Sequence, residues 1–175
     1  MPLVQLQNAH LAFGHVPLLE DVNLIIEPRE RVCLIGRNGT GKSTLLNVLN
    51  GQQVLDSGTF RIDAGIKVAK LAQEVPAAAT ATLYDTVAMG LGDLSGLLSR
   101  YHNLSHEVAT GDAKTLEALS TVQAEIDRIG AWDASQRVDA ILSRLKLPAD
   151  SLMAECSGGI RRRAMLGQAL VGEPD

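Results

Sequence analysis

Eight residues carry the most specific chemistry in this 175-residue chain: Gly36, Arg37, Asn38, Gly39, Thr40, Gly41, Lys42 and Ser43, in the pattern G-x-x-x-x-G-K-[ST]. Glycines let a backbone wrap a polyphosphate without Cβ clashes, so that successive N–H groups point at the anion. An apolar run precedes the turn and a helical pattern follows it, and a helix start adds partial positive charge. Lys42 is expected to bridge the β- and γ-phosphate oxygens of a nucleotide, and the Ser43 hydroxyl to ligate Mg2+. Thr44 lies within reach of the α-phosphate. This pattern alone fits ATPases, GTPases and kinases equally.

A second glycine turn, Ser157-Gly158-Gly159, opens the stretch "SGGIRRRAMLGQAL". It presents unpaired N–H groups to an anion in the same way. The plainer reading is a helix start with a serine N-cap. The run Arg161–Arg163 reads as a solvated face with one arginine packed.

The elements that position these turns follow from hydrophobic spacing. Residues 3–7 and 10–13 alternate, and Val22–Ile26 and Arg31–Ile35 read as two strands joined by a turn at Glu27–Glu30. Asp56, Ser57 and Gly58 form a turn beside the extended pieces Thr59–Ile62 and Ile66–Lys70. One helix starts at Lys42 and stops at Gly51. After Pro76 the character changes. Leu116, Leu119, Val122, Ile126 and Ile129 share one helical face, and Val138, Ile141, Leu142 and Leu145 share another. Asp133 with Gln136 has the form of a capping box, and residues 95–108 make a third helical candidate. The expected organisation is a strand-rich core over 1–76, a helical subdomain over 77–156, and a return helix over 157–175.

Apolar residues make up 46% and charged residues 21%, the profile of a globular domain, while 3% aromatics leave the core to Leu, Ile, Val and Ala. A net charge of −4 argues against a generally basic nucleic-acid surface and leaves room for a local patch. Cys33 sits in the apolar run "RVCLIG" and is expected in the core; two distant thiols do not make a disulfide framework. The N-terminus lacks the basic start and apolar run of a signal peptide, and no stretch reaches the roughly 18 apolar residues of a membrane span. A cytoplasmic location is expected.

The stretch "CSGGIRRRAMLGQAL", following a P-loop and a helical insert, resembles the signature motif of ABC-type ATPases, LSGG-x-x-R-x. Phe13 matches the aromatic residue that stacks on adenine in that family. Gln73, in "KLAQEV", matches its Q-loop glutamine, which helps hold Mg2+ and the attacking water and reports on the nucleotide to the helical insert. The likeness covers essentially the whole chain and narrows to the ABC-F class, whose members carry two ATPase domains in one polypeptide and no membrane segment. The stretches "PLLEDVNLIIEPRERVCLIGRNGTGKSTLL", "RYHNLSHEV" and "QRVDAILSRLKLPA" support it. The fold implied is α/β: a P-loop NTPase core with a mixed sheet around the P-loop helix, an antiparallel β part and a helical subdomain. The cofactors implied are ATP and Mg2+. Three positions depart from the pattern: Cys156 stands for leucine, Phe13 for a frequent tyrosine, and Arg29 for a frequent glycine.

The resemblance also assigns the two turns different roles. In an ABC dimer each ATP is sandwiched between one domain's P-loop and the other domain's signature turn. Ser157, Gly158 and Gly159 are then expected to face the γ-phosphate held by a second ABC domain, in the same longer chain or in a dimer mate. The family's magnesium-binding aspartate, water-activating glutamate and switch histidine fall after the position of Asp175, and His10, His15, His102 and His106 do not stand at the switch position. An N-terminal piece that binds ATP without efficient turnover is therefore expected. The expected partner is the ribosome or structured nucleic acid such as DNA, although the arm that ABC-F proteins insert among the helices is short or missing between Tyr84 and Leu147. Two other readings stay open: the ATP-binding subunit of an ABC transporter, and a nucleotide-gated interaction module that never needed hydrolysis.

Overall fold

A computed structural model of the chain describes residues 2–72, 80–108 and 113–175. The backbone divides into two compact units, residues 1–68 with Asp175, and residues 69–174.

The first unit is a three-stranded antiparallel sheet of order β2-β1-β3, formed by β1 (Val4–Phe13), β2 (Val16–Ile26) and β3 (Ser57–Ile62). The two alternating stretches expected at 3–7 and 10–13 are one strand with a bulge. Asn8 has φ 46, which offsets the side-chain alternation so that Leu6 and then Ala9 and Leu11 point into the core. Side chains hold the bulge: the Asn8 amide donates to Asp21 Oδ1 at 2.7 Å, and Asn23 Oδ1 accepts the Asn8 N–H at 2.9 Å. Helix α1 (Lys42–Leu49) covers this face, packing Leu45 and Val48 against Leu6, Ala9, Leu11 and Leu19. Burying a side chain of the size of Val48 stabilises by about 1.5–3 kcal/mol. The helix ends as expected, with Asn50 as C-cap and Gly51 beyond it at φ 70.

Three local expectations are corrected. Ser57 and Gly58 belong to β3, paired with β1 from His10↔Ser57 to Val4↔Ile62, and are not part of a turn. Arg31–Ile35 and Ile66–Lys70 form no strand. An apolar run becomes a strand only when a neighbouring ladder takes its N–H and C=O groups. Among the described residues no strand of the sheet pairs with either run, and Lys67 bonds to Asp175 instead, donating its N–H to Oδ2 at 2.9 Å and accepting the Asp175 N–H at 3.1 Å. Val32, Leu34 and Ile35 are consequently exposed, and so is Cys33, contrary to the core position its neighbours imply. Arg29, in the turn between β2 and this run, takes the left-handed conformation at φ 64.

The second unit is helical: α2 (Leu83–Ala88), α3 (Ser95–Glu107), α4 (Ala113–Ile129), α5 (Trp132–Arg144) and α6 (Gly158–Leu170). A short 3-10 stretch, Met89–Leu94, joins α2 to α3, and another, Met153–Glu155, precedes α6. One core gathers Leu83, Tyr84 and Val87 of α2, Val138 and Leu142 of α5, and Ala164 and Met165 of α6. A second gathers Leu98, Val122, Ile126, Ala131 and Ala134. The expected α4 stripe is only partly used: Val122 and Ile126 are buried, whereas Leu116 and Ile129 are 51% and 40% exposed. The capping box expected at Asp133 is absent, since α5 begins at Trp132 with Ala131 as N-cap and no side-chain cap. Among the described residues a capping box is formed instead by Thr82 with Asp85, at the start of α2.

Candidate functional site

The first glycine turn leads into α1 through Gly39 at φ 85 and Gly41 at φ 83. No side chain caps α1, so its first N–H groups stand without intrahelical acceptors. Asn38, Gly39, Thr40 and Ser43 are exposed, Lys42 and Thr44 half-buried. Thr40 Oγ1 donates to the Arg37 carbonyl at 2.8 Å, which closes the loop on itself. The Lys42 ammonium folds into the same loop, donating to the carbonyl oxygens of Gly36 at 2.7 Å and Arg37 at 2.6 Å. Among the described residues no carboxylate pairs with it. A cation held only by carbonyl dipoles, beside a run of open N–H groups, is chemically suited to receive a polyanion. The Ser43 hydroxyl, one residue on and exposed, is a hard oxygen suited to Mg2+.

The β1–β2 hairpin positions both the turn and the aromatic candidate. Near its tip Phe13 pairs with Val16 and Ala12 with Pro17. The next residue, Leu18, abuts Gly41 so closely that a Cβ there would stand 2.7 Å from the Leu18 carbonyl oxygen. Phe13 is 56% exposed, an apolar ring left open to solvent on the hairpin that buttresses the loop. Gln73 lies outside the described residues.

The second turn is at the surface of the helical unit. Ser157 is the N-cap of α6, with φ −63 and ψ 156, and its hydroxyl accepts the Ile160 N–H at 3.4 Å. The plain serine-cap reading is thus realised, and it does not consume the turn. Ser157, Gly158 and Gly159 are exposed, and a Cβ on either glycine would meet nothing within 4 Å. Cys156 is buried in the core, so the thiol packs where a leucine is usual. Of the three arginines, Arg161 donates to the Ala154 carbonyl and Arg163 to that of Leu145, both at 2.7 Å, so two are anchored rather than one. The first glycine turn belongs to one compact unit and the second to the other.

Sequence reasoning set aside the histidines of α3, and the structure gives them a setting. His102 stacks on Tyr84 with ring centroids 3.8 Å apart and planes 7° apart, and its Nε2 lies 2.9 Å from Asp150 Oδ1. Burial pushes the Tyr84 hydroxyl above its ordinary value. A cavity lined by Arg137, Ile141, Arg144, Leu170 and Glu173 also lies in the helical unit, and it shares no residue with either glycine turn. No helix among the described residues is long and apolar enough to cross a membrane.

The family model described as ABC transporter matches residues 19–175. The ATP-binding protein Uup of Escherichia coli (strain K12) is 39% identical over 99% of this chain, and the match covers 28% of that protein. The energy-dependent translational throttle protein EttA of Mycobacterium tuberculosis (strain ATCC 25618 / H37Rv) is 31% identical over 97% of this chain and 31% of that protein. The chain therefore spans less than a third of the length of these relatives. Among solved structures, a nucleotide-free ATP-binding cassette from an ABC transporter superposes with TM-score 0.66 at 22% identity, covering 99% of this chain and 66% of that one. The ATP-binding subunit of another ABC transporter gives 0.64 at 20% identity, over 98% and 63%. At such identity these likenesses speak for the fold alone, and the fold is that of a P-loop ABC ATPase. With the family model spanning both glycine turns, the chain belongs to the ABC transporter family.

Proposed function

We propose that this chain is the ATP-binding part of an ABC-F protein of the Uup type, organised as a P-loop core over 1–76, a helical subdomain over 77–156 and a signature helix over 157–175. The observation that carries the reading is the loop from Gly36 to Ser43, with the Lys42 ammonium on its carbonyls and an uncapped helix start beside it. ATP is held by this loop: the N–H groups of Gly39, Thr40, Gly41, Lys42, Ser43 and Thr44 face the phosphates, and Arg37 and Asn38 complete the turn. Lys42 neutralises the terminal phosphates, Phe13 stacks on the adenine, and Ser43 with Gln73 ligates Mg2+. When bound at these residues, the metal would supply charge neutralisation and a template for the phosphates.

Ser157, Gly158 and Gly159 serve the ATP of a second ABC domain. Their exposure, and the open space around both glycines, support this role. In the whole protein, binding and hydrolysis of ATP would close and reopen two such domains against a large cytoplasmic partner, the ribosome or structured nucleic acid. The 39% identity to Uup and 31% to EttA support this reading. No carboxylate of residues 1–175 is assigned to activating water, so this chain is expected to bind Mg-ATP with little turnover.

Calorimetric titration of the purified chain with Mg-ATP tests the reading. Lys42→Ala removes charge-assisted contacts worth about 1.5–3 kcal/mol each and is expected to weaken binding at least about tenfold. Equal affinity in the two proteins would contradict it.

A further inference from the structure

His102 and His106 stand one helical turn apart on α3, at the spacing that puts two side chains on one face. Asp150, in the connection after α5, reaches the same face. Its Oδ1 lies 2.9 Å from His102 Nε2 and 3.7 Å from His106 Nε2, and one ligand atom from each of the three residues falls within 4.8 Å of the others. An ordinary histidine–aspartate hydrogen bond accounts for His102 alone. The second imidazole stands tilted against the first, with ring centroids 4.6 Å apart, and brings its own Nε2 to 3.7 Å from the same oxygen, so two imidazoles and a carboxylate converge on one small space.

We propose that His102, His106 and Asp150 form a binding site for a borderline transition-metal ion, with Zn2+ as its natural occupant. Tetrahedral zinc at about 2.0–2.1 Å from nitrogen and oxygen donors sets those donors about 3.3 Å apart. The two separations from Asp150 Oδ1, 2.9 and 3.7 Å, bracket that value, and the third lies within 4.8 Å. The remaining adjustment falls on His106 and Asp150, whose side chains are 58% and 67% exposed and free to turn. His102 is the fixed member: its side chain is 13% exposed and stacked on Tyr84, which holds the ring plane. Two imidazoles and one carboxylate suit Zn2+ and disfavour Mg2+ and Ca2+, which prefer all-oxygen shells. Each ring presents the Nε2 lone pair and keeps its proton on Nδ1, and the open side of the site leaves a fourth position to water.

The ion would tie α3 to the connection that carries Asp150, shortly ahead of the Met153–Glu155 turn and the Ser157 cap. Its role is that of a brace within the helical unit. It uses none of the residues assigned to the nucleotide, so it stands or falls separately from the proposed function.

The test is titration of the metal-free full chain with Zn2+, followed by calorimetry and by thermal unfolding, in a Cys33→Ser background that removes the exposed thiol. The expected result is one ion per chain and a rise in Tm at saturation. His106→Ala and Asp150→Asn, both exposed changes that leave the fold intact, should each weaken binding about tenfold or more and abolish the Tm rise. Excess Mg2+ should not compete. Absence of saturable Zn2+ binding in the parent, or affinity unchanged in both variants, would overturn the proposal.

Discussion

The carbonyl oxygen of Leu18 and the Cα of Gly41 approach so closely that a Cβ on Gly41 would stand 2.7 Å from that oxygen. Strand β2 thus fixes the end of the glycine turn where α1 begins. Gly41 also has φ 83, so a side chain there meets both a clash and a strain of about 1–3 kcal/mol. Gly39 has φ 85 but open space around it. Gly41→Ala is therefore expected to lower the urea midpoint more than Gly39→Ala, and to weaken Mg-ATP binding as well. Equal midpoints for the two variants would show that the contact with Leu18 carries no load.

Phe13 is exposed on the hairpin tip, so removing its ring should change stability by no more than about 0.5 kcal/mol. Stacking on a base is worth about 1–3 kcal/mol by alanine substitution. Phe13→Ala is expected to weaken ATP binding about tenfold at unchanged Tm, and Phe13→Tyr to restore it. A ring that served only the fold would show the reverse.

Arg29 occupies the left-handed region, at φ 64. Relief of about 1–2 kcal/mol there is partly offset by the greater chain entropy of unfolded glycine. Arg29→Gly is expected to stabilise the chain by about 0.5–1 kcal/mol in urea unfolding. Destabilisation would mean that the arginine side chain makes a contribution larger than its backbone strain.

Burial pushes the Asp85 carboxyl up, and hydrogen bonds from Ser99 and Thr82 outweigh that, so its pKa lies below the ordinary carboxylate value. A group depressed on folding stabilises above its unfolded pKa and loses that contribution as pH falls through the folded value. The α2 cap should therefore hold at neutral pH and fail in acid, below about pH 4. Asp85→Asn is expected to cost about 0.5–2 kcal/mol at pH 7 and much less at pH 2.5, measured by urea unfolding at both. A constant difference across that range would contradict the assignment.

The parts of this architecture set by local chemistry are legible in the sequence. The loop at Gly36–Ser43, the helix from Lys42 and the serine cap of α6 depend on residue types at fixed short spacings. What depends on distant partners is not. Arg31–Ile35 has the composition of a strand, yet a strand exists only where a ladder receives it, and Cys33 follows that run into solvent. Asp133 and Gln136 have the spacing of a capping box, but α5 begins at Trp132, whose indole donates to Asp127 Oδ1 and forms an edge-on contact with Tyr101. The working box, Thr82 with Asp85, uses aspartate where glutamate is the usual signal. His102 meets Asp150 across 48 positions of sequence, a convergence that helical periodicity does not encode.

The two glycine turns are proposed to serve two different triphosphates. Equilibrium binding of Mg-ATP to this chain, compared between Lys42→Ala and Gly158→Asp, separates two nucleotides from one. Gly158 is exposed with open space around it, so the aspartate fits without disturbing the fold. Lys42→Ala is expected to weaken binding at least about tenfold, while Gly158→Asp leaves the affinity of the isolated chain unchanged and blocks only its ATP-dependent association with a second ABC domain. An affinity loss in Gly158→Asp as large as that in Lys42→Ala would place both turns on one nucleotide and contradict the account.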